Sequence, residues 1–75
     1  MLYLYSTSHC HLCELALDML TALNTDAVKL VEITDEDQLV QEYGLRIPVL
    51  KRLDNNAELD WPFTLSDIKQ FLRTK

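Results

Sequence analysis

Residues that interrupt or staple a chain are scarce in this sequence. One glycine and two prolines among 75 residues leave no stretch with the composition of a flexible or low-complexity linker, so a single domain over residues 1–75 is expected. Two cysteines are too few for a small disulfide-stapled scaffold. Only 7 basic residues stand against 12 acidic ones, which argues against the cationic surface that a nucleic-acid partner needs to displace counterions. No apolar run reaches bilayer-spanning length. The short apolar start, Met1–Tyr5, lacks the basic residues and long hydrophobic region of a secretion signal. These absences predict a cytoplasmic monomer with no nucleic-acid or membrane partner.

What is present has the balance of a globular domain, with 48 % hydrophobic residues. So short a chain shields little of itself from water, so its core is small and its stability margin thin. Eight of the acids fall between Glu14 and Glu42 and are read as a solvated face that aids solubility. Arg46, Lys51 and Arg52 form the basic cluster.

Leu2-Tyr3-Leu4-Tyr5 is rich in strand formers and gives way to the polar Ser6-Thr7-Ser8, the pattern of a short buried strand entering a loop. From Cys10 onward, Leu12, Leu15, Ala16, Met19, Leu20 and Leu23 recur at helical spacing and predict a helix ending near Asn24. Val28–Ile33 reads as a partly exposed second strand. Thr34 and Asp37 stand at capping-box spacing before a helix that buries Leu39, Val40 and Tyr43, and Gly44 is expected to end it in the left-handed conformation. Pro48–Leu53 and Ala57–Trp61 predict an antiparallel hairpin turned by Asp54-Asn55-Asn56. Thr64 or Ser66 caps a last helix with Leu65, Ile68, Phe71 and Leu72 inward and with Arg73 and Lys75 near its negative end. The predicted order is β-α-β-α-β-β-α, with no internal repeat.

The chemistry sits in Cys10-His11-Leu12-Cys13, where the first strand passes into the first helix. A helix amino terminus has unpaired N–H groups and a positive dipole end, which favour an anion. A thiol there falls from a pKa of about 8.5 toward neutrality, and thiolate is the form that attacks disulfides. Cys10 is therefore the expected nucleophile. Cys13, one turn on, is the expected resolving sulfur. Two buried apolar cysteines, or half of a zinc site, show the same letters; the strand before and helix after favour the redox reading. His9 and His11 flank the nucleophile as solvent-facing spacers or, when protonated, as groups that stabilise the thiolate. Glu14 opposes thiolate formation if close. Trp61 and Phe63 are read as a core plug, and Tyr3, Tyr5 and Tyr43 as packing residues.

Tyr43-Gly44-Leu45-Arg46-Ile47-Pro48-Val49, taken with the C-x-x-C motif and the element order, resembles the thioredoxin and glutaredoxin superfamily, in particular its short bacterial glutaredoxin-like proteins. The resemblance implies a thioredoxin fold: a four-stranded mixed sheet in the order second, first, third, fourth strand, flanked by three helices. It implies a cis bond at Ile47-Pro48, with Pro48 facing the cysteines and Ile47 presenting backbone N–H and C=O groups to a substrate strand. It further implies a thiol-disulfide oxidoreductase acting on a protein or small-molecule disulfide, with a separate reductant and no resident cofactor. Glutathione-gripping glutaredoxins carry a Gly-Gly pair with a following acid after the fourth strand and a basic residue near the first cysteine. Here those places hold Leu59-Asp60-Trp61-Pro62-Phe63 and Thr7-Ser8-His9, which argues against a glutathione grip. Thioredoxin's Trp before the motif, its Gly-Pro spacer and its acid in the first strand are also missing.

Two other readings stay beside this one. His9, Cys10, His11 and Cys13 are all potential ligands for Cu(I) or zinc, but the chain has no other Cys or His to complete a zinc site. Copper chaperones with a single C-x-x-C run β-α-β-β-α-β, a different order. A thioredoxin-fold interaction protein with incidental cysteines is the third reading, and the cysteine pair together with the proline argues against it.

Overall fold

A computed structural model describes residues 2–23 and 28–73. Its elements are β1 (Leu2–Ser6), α1 (His11–Ala22), β2 (Val28–Glu32), a 3-10 turn (Ile33–Asp35), α2 (Asp37–Tyr43), β3 (Val49–Arg52), β4 (Glu58–Asp60) and α3 (Leu65–Arg73). The sheet order is β2-β1-β3-β4. β1 runs parallel to β2 and antiparallel to β3, and β3 and β4 form a hairpin. This is the thioredoxin fold.

Alternation along β1 builds the two faces, because successive strand side chains point to opposite sides of the sheet. Leu2 and Leu4 join Ala16 and Leu20 of α1, Leu50 of β3, Ile68 of α3 and Phe63 from the connection before α3 in one cluster. Tyr5 joins Ile33, Val49 and Tyr43 of α2 in the other. Trp61 packs edge-on against Phe63, with ring centroids 5.0 Å apart, so this pair does plug the core. The start of α3 is a capping box: the Asp67 N–H donates to Thr64 Oγ1 at 3.1 Å and the Thr64 N–H donates to Asp67 Oδ2 at 2.9 Å. Thr64, rather than Ser66, is the cap.

Several local expectations are corrected. Gly44 is right-handed, with φ −54° and ψ −33°. Its glycine requirement is steric, since a Cβ there would stand 2.5 Å from the Val40 carbonyl oxygen. Thr34 and Asp37 form no cap; Glu36 occupies the N-cap position without a side-chain bond, and the Thr34 N–H is instead taken by Glu32 Oε2 at 3.3 Å. Val40, Leu12, Leu15 and Leu65 are exposed. In α1 the buried stripe is Cys13, Ala16 and Leu20, so a sulfur takes the place that periodicity alone gave to leucine. The β2, β3 and β4 strands are shorter than their apolar runs, and Ile33 is buried in the 3-10 turn. Two members of the basic cluster are charge-paired: Arg46 with Glu42, Glu58 and Asp60, and Arg52 with Asp54. Asn24 and Lys75 lie outside the described residues.

Candidate redox site

Cys10 is the N-cap of α1, with extended φ −100° and ψ 102°. Its carbonyl accepts the Glu14 N–H at 3.1 Å, and its Sγ accepts the Cys13 N–H at 3.2 Å. A sulfur in this position takes the bond that a Ser or Asp cap would take, from one of the unpaired donors of the first turn. The two sulfurs are joined as a disulfide, with Cα atoms 5.2 Å apart. They differ in access: Cys13 is buried, 6 % exposed, while Cys10 is half-buried. His11 is solvent-facing and sits 3.8 Å from Glu14 through Nδ1 and Oε2.

The loop before Cys10 is held from β2. Ser8 donates to Glu32 Oε1 through both its backbone N–H, at 3.0 Å, and its hydroxyl, at 3.1 Å. His9 then takes a left-handed φ of 60°, an uncommon conformation for a residue with a Cβ, and the chain enters the cap at Cys10. Hydrogen bonding from Thr7 is the largest influence on the Glu32 carboxyl; with Thr34 and Ser8 it outweighs desolvation and holds the group below the usual carboxylate range.

Pro48 lies at the same end of the sheet. Antiparallel pairing ends with Tyr5 opposite Val49, so the chain leaves β1 and enters β3 at the same end of the sheet. Pro48 is fully buried, the Ile47-Pro48 bond is cis, as is Trp61-Pro62, and the Pro48 carbonyl accepts the Trp61 N–H at 3.2 Å. The Ile47 N–H, expected to face a substrate, is donated to the Tyr43 carbonyl at 3.1 Å. That is a correction: the turn closing α2 uses this donor internally.

Arg46 fastens this second loop. Its guanidinium donates to Glu58 Oε1 at 2.7 Å and Asp60 Oδ1 at 2.9 Å on β4, and reaches Glu42 Oε1 at 3.3 Å on α2. It also stands 5.1 Å from the centre of the Tyr43 ring. Tyr43 stacks on Tyr5 at 4.1 Å, and its hydroxyl donates to Glu58 Oε2 at 2.6 Å. Burial pushes the Tyr43 phenol up, and the bond to Glu58 adds to this. For Glu58, desolvation pushes the carboxyl up, but Tyr43 and Arg46 together overcome it and hold the group low.

A shallow groove of about 160 Å³ runs beside the disulfide, lined by Thr7, His9, Cys10, Cys13, Leu17 and Leu30 among others. It gathers both sulfurs and His9; His11, Ile47 and Pro48 do not line it. Among the described residues no three His, Cys, Asp or Glu side chains are grouped to hold a metal ion, and no helix is long and apolar enough to cross a membrane. Glu32 and the Arg46 network were not singled out by sequence. Glu42 stands at i,i+4 spacing from Arg46, but the partners that tie the two groups to other elements, Ser8 for Glu32 and Glu58 and Asp60 for Arg46, lie 24 and 12 to 14 residues away, beyond any local pattern.

Residues 1–73 match the family described as Glutaredoxin-like domain (DUF836). The X-ray structure of the Northeast Structural Genomics target protein XcR50 from X. campestris is 39 % identical, with a TM-score of 0.89, covering 96 % of this chain and 95 % of that one. The solution structure of XcR50 gives 39 % identity and a TM-score of 0.85 over 95 % of this chain and 90 % of that one. Protein Ne2328 from Nitrosomonas europaea, solved by NMR, is 26 % identical with a TM-score of 0.79, over 93 % and 87 % of the two chains. No curated protein matches the sequence.

Proposed function

The chain belongs to the glutaredoxin-like domain family, and on that premise we propose that it is a dithiol-disulfide oxidoreductase acting through Cys10 and Cys13. The observation that carries this reading is the Cys10 sulfur at the N-cap of α1, accepting the Cys13 N–H at 3.2 Å and bonded to the sulfur it must exchange with. The same N–H stabilises negative charge when Cys10 is a thiolate, which favours Cys10 as the attacking group.

In the forward direction the reduced protein's Cys10 thiolate attacks one sulfur of a substrate disulfide. A Cys10-substrate bond forms, the substrate S–S bond breaks, and one substrate thiolate leaves. Cys13, losing its proton to water or a nearby base, attacks Cys10 Sγ, and the second substrate thiolate leaves as the Cys10–Cys13 bond forms. Two electrons pass to the substrate, and a thiol or dithiol reductant returns them by the reverse sequence.

The substrate in this reading is a protein or small-molecule disulfide. A glutathione grip is not supported: Arg46 is engaged by three carboxylates, and Phe63, after β4, is buried in the core. Strand addition through the Ile47 N–H is not part of the reading, because Tyr43 holds that donor.

The test is reduction of a protein disulfide by the wild type and by Cys10→Ser and Cys13→Ser. Cys10→Ser is expected to abolish turnover, and Cys13→Ser to accumulate the mixed disulfide, seen as a mass adduct on Cys10. An adduct on Cys13 in the Cys10→Ser protein, with retained turnover, would reverse the roles. No turnover by the wild type with any dithiol reductant would remove the reading.

A further inference from the structure

Glu32, at the end of β2, grips the loop delivering the nucleophile. Both of its oxygens are used: Oε1 takes the Ser8 N–H and hydroxyl, and Oε2 takes the Thr34 N–H at the start of the 3-10 turn. The loop is thus fixed at Ser8 by β2 and at Cys10 by α1, with His9 between them in the left-handed region at φ 60°. A non-glycine residue in that region persists where its neighbours over-determine it. If Ser8 is released, His9 is free to relax to negative φ. Cys10 follows directly in the chain, so its sulfur then moves away from the Cys13 N–H.

We propose that Glu32 is a positioning residue for the Cys10 sulfur, acting through Ser8 and the turn at His9 to set the cap that stabilises the Cys10 thiolate. This inference rests on the oxidoreductase reading and names a residue that serves the same site from another strand.

Glu32 also carries negative charge, and a charge acting on its own makes the opposite prediction. As a charge, it disfavours the thiolate, and both Glu32→Gln and Glu32→Ala would lower the Cys10 thiol pKa. As a positioning group, it supplies acceptors. Glu32→Gln keeps a carbonyl oxygen for Ser8 and stays close to wild type, while Glu32→Ala raises the thiol pKa.

The experiment follows iodoacetamide alkylation of Cys10 against pH in reduced Cys13→Ser protein, alone and combined with Glu32→Ala, Glu32→Gln or Ser8→Ala. At pH 7 the Glu32→Ala protein is expected to react about three- to tenfold more slowly, with its titration moved toward that of a free thiol. Glu32→Gln is expected to restore most of the rate, and Ser8→Ala, which keeps its backbone N–H, to fall between. Thermal unfolding of the same Glu32 and Ser8 substitutions in protein that keeps both cysteines, oxidised and reduced, is measured beside it. A faster reaction in both Glu32 variants, or equal loss of stability in the two redox forms with an unmoved titration, would overturn the proposal. The alkylation readout needs no disulfide substrate. An inactive wild type would therefore defeat the oxidoreductase reading while leaving the positioning role separately decided.

Discussion

Two loops lie at the same end of the sheet, and they are held by opposite means. The loop from Thr7 to Cys10 hangs on a carboxylate that accepts from a backbone N–H and a hydroxyl. The loop from Gly44 to Pro48 is riveted by a guanidinium on carboxylates from two elements, above a stacked tyrosine pair. The first hold is made of exposed neutral-donor bonds to one charge. The second adds buried aromatic area, which dominates stability where it occurs. The larger share of the stabilisation is thus expected beside the proline.

The largest effect expected from breaking this contrast is that of Tyr43→Ala. It removes the stack on Tyr5 and the bond to Glu58, and should destabilise the fold by about 3–5 kcal/mol, read from urea unfolding. The Cys10 titration in the molecules that stay folded should be little changed. A large change there would mean that the two loops are one mechanical unit.

Arg46→Ala comes next. The guanidinium is partly exposed, so its ion pairs are screened and the loss should be about 1 kcal/mol. The deficit should shrink between 0.05 and 0.5 M salt, since screening has already weakened the wild-type pairs. A salt-independent loss would assign the effect to packing on Tyr43 instead.

The smallest effect is the pH dependence of the Glu32 clamp. Because bonds from Thr7, Thr34 and Ser8 hold its carboxyl below the usual value, the folded state binds this proton less readily than the unfolded state. Its stabilisation is complete above the usual carboxylate pKa and is lost as pH falls through the lowered folded value. The difference in Tm between wild type and Glu32→Gln should therefore be greatest at neutral pH and shrink below about pH 4. A constant difference across that range would show that the charge on Glu32 does not contribute.

The element order was readable from the sequence because runs of strand formers, turn residues and the period-3.6 pattern are local. Cys10 at a helix start was readable for the same reason. What escaped depends on contacts remote in sequence or on space. Gly44 looks like a left-handed stop, yet the constraint is a carbonyl one turn back. Leu12 fits the apolar stripe of α1, but Cys13 occupies the buried place. The Ile47 N–H was assigned outward because sequence does not reveal that the turn after α2 consumes it. Glu32 reads as a charge interrupting a strand, and only the neighbouring loop gives it work.

The unequal access of the two sulfurs, Cys13 buried and Cys10 half-buried, has a kinetic meaning in the proposed reaction. Collision with a substrate involves the outer sulfur alone, so discrimination between substrates belongs to a second-order step. Release is then governed by an internal encounter between two groups already 5.2 Å apart at their Cα atoms, whose frequency does not depend on concentration. Bulky and small disulfides should differ widely in how fast they are captured, and much less in how long they are retained.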